Sequence, residues 1–160
     1  MSKSLFNEKL NLSLGARTDA NTYSGTMLNP LTQISPRFSA SYNLTEKTSL
    51  NFNLGRYFQL PPYTAFGFVD GEGNYINRNK NFRYIAANHI VAGFELLPSE
   101  NIQVTIEGFL KKYNHYPFSV KDGVPLASKS ADYGIFGDEE LISVSRGTAY
   151  GLELLGRPVS

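Results

Sequence analysis

The stretch SLNFNLGRYFQLPPYT, residues 49–64, alternates. Leu50, Phe52 and Leu54 are apolar, and Asn51, Asn53 and Gly55 between them are not. Successive side chains of a strand point to opposite faces, so this pattern builds a strand with one greasy face and one polar face. In a water-soluble protein the greasy face would cover a core. What it covers here is read from the segments around it.

Five further segments alternate in the same way. Over 9–20, Leu10, Leu12, Leu14 and Ala16 oppose Asn11, Ser13, Gly15 and Arg17. Over 36–45, Phe38, Ala40, Tyr42 and Leu44 oppose Arg37, Ser39, Ser41 and Asn43. Over 86–97, Ile90, Ala92, Phe94 and Leu96 oppose His89, Gly93 and Glu95. Over 101–114, Ile102, Val104 and Ile106 oppose Gln103, Thr105 and Glu107. Over 146–156, Tyr150, Leu152 and Leu154 oppose Gly151 and Glu153. The apolar period is two, so helices fit worse. The expected fold is all-β, an antiparallel up-and-down meander of about six strands. GFELL (93–97) and GLELL (151–155) echo each other on strands that would run the same way.

The connections sort by length. TEK (45–47) and PSE (98–100) are short polar turns. The other three run to roughly 15, 27 and 30 residues, where hairpin loops usually have about 2–5. Short turns at one end and long loops at the other are the layout of bacterial outer-membrane barrels. The apolar sets then face lipid, and each strand approaches the ~9–11 residues needed to cross a bilayer tilted. Small inward residues (Ser39, Ser41, Gly55, Gly93, Gly151) would fill a soluble core poorly. Tyr57, Phe58 and Tyr63 after the third strand, and Tyr113, Tyr116 and Phe118 after the fifth, are expected at a membrane–water interface.

Composition narrows the classes. The chain has 160 residues, in the range of one domain, and its charged share of 18% is low for a soluble one. A net charge of +1 indicates neither nucleic acid nor an anionic surface as partner. With no cysteine, disulfide frameworks and Cys-based metal or redox chemistry are excluded. No run approaches the ~18 apolar residues of a transmembrane helix. The first residues, MSKSLFNEKLNLSLG, lack the apolar core of a signal peptide.

Strand arithmetic adds a constraint. Single-chain membrane barrels start at about eight strands, and an open sheet in lipid leaves backbone groups unpaired at several kcal/mol each. Six strands therefore suggest a piece of a larger transmembrane β-barrel, or a sheet closed by other copies. The ending GLELLGRPVS, just as a sixth strand finishes, reads as truncation.

SPRFSASYNLTEKTSLNFNLGRYFQLPPYT (35–64), ANHIVAGFELLPSENIQVTIEGFLKKYNHYP (87–117) and GTAYGLELLGR (147–157) resemble, in that order, the barrel of TonB-dependent outer-membrane receptors. The resemblance implies that residues 1–160 are a partial receptor barrel, with the plug domain and remaining strands absent. It implies the outer membrane of a Gram-negative bacterium. Its implied partners are outer-membrane lipid, the rest of the barrel and its plug, TonB through the missing N-terminal part, and a nutrient ligand. That ligand would be of the siderophore, cobalamin or oligosaccharide class. Inward Arg17, Arg37, Glu95, Glu107 and Glu153 are candidates for facing the lumen or plug. Loop residues Tyr63, Phe66, Phe68, Tyr75 and Arg78 are candidates for facing ligand. The alternative is a soluble β-barrel or sandwich domain that binds a small ligand.

Other signals lead nowhere. DGEGN (70–74) lacks the acidic twelfth position of a calcium loop and reads as a surface turn. His89 and His115 have no metal-ligand spacing. The glycosylation patterns at Asn11 and Asn43 fall inside strands. An enzyme would have only His89, Ser39, Ser41 and Glu95 to work with, and no Gly-x-Ser-x-Gly turn exists. No enzyme activity and no cofactor are expected.

Overall fold

The computed structural model describes residues 2–7, 9–79, 81–129 and 136–158. These form one antiparallel sheet with the strands in chain order. They are β1 (Ser2–Leu5), β2 (Leu10–Arg17), β3 (Ser35–Thr45), β4 (Thr48–Gln59), β5 (Ile85–Ser99), β6 (Ile102–Ser119) and β7 (Leu141–Pro158). The meander is as expected, with one strand more. Alternation misses β1 because SKSL is too short to show a period. It pairs with β2 across a turn in which Phe6 and Asn7 both adopt left-handed backbone, φ 55° and 54°.

Register turns the alternation into rows. Leu10, Tyr42, Leu50, Phe94, Ile106 and Leu154 stand opposite one another from β2 to β7. So do Leu14, Phe38, Leu54, Ile90, Leu110 and Tyr150. A slip of one residue on any strand would send its apolar set to the wrong face, so the pattern itself specifies the pairing. This face is exposed: Leu152 is 77% and Leu154 74% accessible. On β6 the apolar set from Ile102 to Leu110 covers about nine residues, enough for a tilted strand to cross hydrocarbon.

The long connections 18–34, 60–84 and 120–140 share one end of the sheet, and the short turns share the other. Strands β6 and β7 run further toward the long loops than alternation shows. They continue as a paired ribbon past register shifts between Tyr113 and Pro117. Loop 60–84 carries two short helices, α1 (Tyr63–Gly67) and α2 (Ile76–Asn79).

The buried apolar cluster of the described residues lies in these loops. Met27 of the first, Ala65, Phe66, Phe82 and Tyr84 of the second, Leu126 of the third and Leu141 of β7 form it. Phe58 and Tyr116 pack on it from the strands. The loops are thus a folded cap with its own core.

Candidate functional site

The polar face of the sheet carries a cluster at its loop end. Tyr57 ring packs on His89 at 4.7 Å between centroids, and His89 meets Tyr113 edge-on at 6.4 Å. The Arg37 guanidinium lies 4.7 Å from the Tyr57 ring centre, and the Lys111 ammonium 4.6 Å from that of Phe109. Two glycines make room. A Cβ on Gly55 would sit 2.8 Å from the Tyr57 ring, and one on Gly151 would sit 2.8 Å from the Phe109 ring. Rings laid on glycines restore the contacts that a bare backbone lacks.

The acidic residues occupy the turn end of the same face. Glu107 and Glu153 are directly opposite, and Glu95 lies one row nearer the turns, opposite Thr105. Below them Arg157 Nε donates to Gln103 Oε1 at 2.7 Å. Arg17 stands apart at the mouth of the first loop, where its Nε and Nη2 donate to Asp19 Oδ1 at 2.9 and 2.6 Å. Four of the five expected inward residues therefore form two groups, basic near the loops (Arg37) and acidic near the turns (Glu95, Glu107, Glu153).

One of the loop expectations needs correction. Phe66 is 2% accessible, stacked on Tyr23 at 4.8 Å and set edge-on to Phe82 at 5.7 Å. It is a core residue, because an apolar ring in a folded cap gains more from burial than from display. Arg78 is a clamp: its Nε donates to the Phe66 carbonyl at 2.8 Å, and its guanidinium covers the Tyr75 ring at 4.1 Å. Tyr63 and Tyr75 remain exposed, and Phe68 is half-buried. The interface aromatics also depart from expectation. Tyr57 and Tyr113 turn to the polar face, while Phe58 and Tyr116 serve the cap core. Phe38 and Tyr150, the latter 81% accessible, are rings of the last apolar row before the loops.

Sequence reasoning passed over the residue that holds the cap together. Asn77 is fully buried in α2. Its Nδ2 donates to the carbonyls of Ala65 (2.7 Å) and Glu139 (2.8 Å), and its Oδ1 accepts from Leu141 N (2.8 Å). One amide thus joins the second loop to the third and to β7. The first loop is tied by Ser24 Oγ, which donates to Phe82 O at 2.5 Å, and by Asn21 Nδ2, which donates to Tyr84 OH at 2.8 Å. Burial raises the Tyr84 phenol above its ordinary pKa. DGEGN is a turn: Asp70 Oδ1 accepts from the backbone N of Glu72 and Asn74 at 2.9 Å. Those bonds, led by that from Asn74, hold its carboxyl below the usual range.

The sheet thus has one polar face, one apolar face and a cap of long loops at one end. The family described as TonB dependent receptor-like, beta-barrel, matches residues 4–157. The chain belongs to this family. Among solved structures, the ferric-catecholate import receptor Fiu from E. coli, in its closed form, aligns with a TM-score of 0.56 at 13% identity. The alignment covers 92% of this chain and 23% of that one, so the chain spans about a quarter of the receptor it resembles. Comparison with curated proteins returned no match.

Outer-membrane barrels sort their connections by length. In such barrels the short turns are periplasmic and the long loops extracellular. The apolar rows form a belt across the sheet, and the Arg37–Tyr57–His89 cluster lies on the opposite face at the long-loop end.

Proposed function

We propose that this chain supplies lipid-facing wall and outer loops to a TonB-dependent receptor of a Gram-negative outer membrane. The receptor takes up a nutrient of the siderophore, cobalamin or oligosaccharide class. The observation that carries the reading is the register, which aligns apolar residues of β2 to β7 on one exposed face and polar ones on the other. The open sheet is completed by further strands of the barrel. Its polar face, through Arg37, Glu95, Glu107 and Glu153, meets the plug domain, and TonB acts on that plug. Tyr63 and Tyr75 are the exposed rings of the second loop on which a planar or sugar ligand would stack. The fold neighbour is an import receptor for ferric catecholates, which supports a ligand with aromatic rings.

The test is a comparison of solvents. The chain is expected to aggregate in detergent-free buffer and to recover β circular dichroism in detergent or phosphatidylcholine vesicles. Spin labels at Phe52 and Ala92 in those vesicles should collide with dissolved oxygen, and labels at Asn53 and Gly93 with a water-soluble relaxant. A sharp monomer in plain buffer with a cooperative melt overturns the reading in favour of a soluble β domain.

A further inference from the structure

Just above the belt the outer face changes character. The row after Leu54, Ile90, Leu110 and Tyr150 is Arg56, Asn88, Lys112 and Thr148, polar from β4 to β7. Arg83 and Arg146 join Arg56 there around His115. Two adjoining hollows of about 420 and 340 Å³ share Arg56 and His115 as walls. Thr26 and Asn29 of the first loop border one, and Asn114 and Arg146 border the other. Ala86, opposite both Phe58 and Asn114, contributes only a methyl group between them. Arg83 is anchored by its backbone N, which donates to Ser143 Oγ at 3.0 Å. His115 sits in the β6 irregularity with φ 58°, a left-handed conformation uncommon for a residue with a side chain. Bulges re-aim side chains in this way.

The groove is one-signed. Among the described residues no carboxylate pairs with Arg56, Arg83 or Arg146. The charged groups that act on His115 are Arg83, Arg56 and Arg146, all cations. Like charges held together without a counter-charge repel, and an anion in the groove would relieve that repulsion. Guanidinium groups present planar forks that match phosphate.

We propose that this groove binds the phosphate-bearing headgroup of an outer-leaflet lipid, whose acyl chains lie along the apolar belt below. The proposal rests on the membrane reading above. The position favours a lipid over a free anion, because Arg56, a wall of both hollows, also borders the apolar hollow lined by Leu14, Phe38, Leu54 and Ile90. Basic pockets at the edge of a hydrocarbon belt recognise anionic headgroups in this manner.

The experiment folds the chain into phosphatidylcholine vesicles alone, with bisphosphorylated lipid A, or with the same lipid A after phosphatase treatment. Native mass spectrometry after detergent extraction reads the retained lipid. Bisphosphorylated lipid A is expected to be retained and the dephosphorylated form lost. The variant Arg56→Gln/Arg83→Gln/Arg146→Gln is expected to bind at least tenfold more weakly. Lys9→Gln/Lys47→Gln, at the turn end, is expected to bind as the parent does. Should the triple variant lose its β signal, Arg83→Gln and Arg146→Gln singly are each expected to weaken retention about threefold. Equal retention of the two lipid A forms, or undiminished binding by the arginine variants, overturns the proposal. Displacement by inorganic phosphate at equal concentration also overturns it, since the groove would then be a site for a free anion. A sharp monomer in plain buffer with a cooperative melt overturns the membrane reading as well, whereas folding without lipid preference overturns this inference alone.

Discussion

Asn77 concentrates at one residue what the loops need. Replacing it by Ala leaves the Ala65 and Glu139 carbonyls and the Leu141 amide without their partner in a buried place, at about 1–3 kcal/mol for each group that water cannot reach. Asn77→Asp keeps the acceptor for Leu141 but aims an oxygen at two carbonyl oxygens, so it is expected to be no better than Ala. In both variants limited proteolysis should cut within 60–84 and 120–140 well before the parent is cut, while β4–β6 stay protected. Gly55 makes a different argument, about space. Gly55→Ala drives a methyl into the Tyr57 ring and is expected to cost about 1–3 kcal/mol, as overpacking does. Tyr57→Ala in the same molecule should remove most of that cost, a coupling that a double-mutant cycle in denaturant reads directly.

At the scale of the element, the two faces of β4 respond differently to charge. Phe52→Arg puts a cation on the belt, where the mid-bilayer cost is about 2–4 kcal/mol. Asn53→Arg, its neighbour on the polar face, should be accommodated. The yield of β signal in vesicles should fall for the first and hold for the second. In the third loop, Lys129 is bound by Asp122 and Glu139. The bond from Lys129 holds the Asp122 carboxyl below its ordinary range, and Asp122 and then Glu139 raise the Lys129 ammonium above its own. A depressed carboxylate stabilises the fold above its unfolded pKa and loses that contribution as pH falls through the lowered value. A raised ammonium stabilises below its unfolded pKa and loses it as pH rises through the raised one. The third loop should therefore be least open to protease at neutral pH and open more in strong acid and strong base. Salt should flatten both limbs, because the Asp122 side chain is 45% accessible.

At the scale of the molecule, the sheet has β1 at one edge and β7 at the other. Strand β7 spans Leu141–Pro158 and pairs on one side with β6. Its other row of amides and carbonyls is expensive in lipid unless a further strand takes it up. Hydrogen exchange on the chain folded in detergent should show this. Amides of β4, β5 and β6 exchange slowly, and the β7 amides that point away from β6 exchange quickly. Uniform protection of β7 would mean that copies of the chain pair edge to edge.

Much of this architecture was legible in the residues themselves. The strands from β2 to β7, their direction and the apolar face follow from a period of two, because each side chain reports its own face. Stretches such as GRYFQLPPYT also pointed to the family. The four residues of β1 were too few to show a period. The extensions of β6 and β7 lay beyond a polar break at Asn114 and His115, where alternation lapses. The placements of Phe66, Arg78, Tyr57 and Tyr113 were not legible either. Each depends on what comes to meet it from another loop or strand: Tyr23 on Phe66, the Phe66 carbonyl on Arg78, His89 between two tyrosines. The arginine groove and the Asn77 clamp belong to the same class. Periodic burial is a local property and is written along the chain. The cap core and the cation cluster join residues far apart in sequence, so only the tertiary structure decided them.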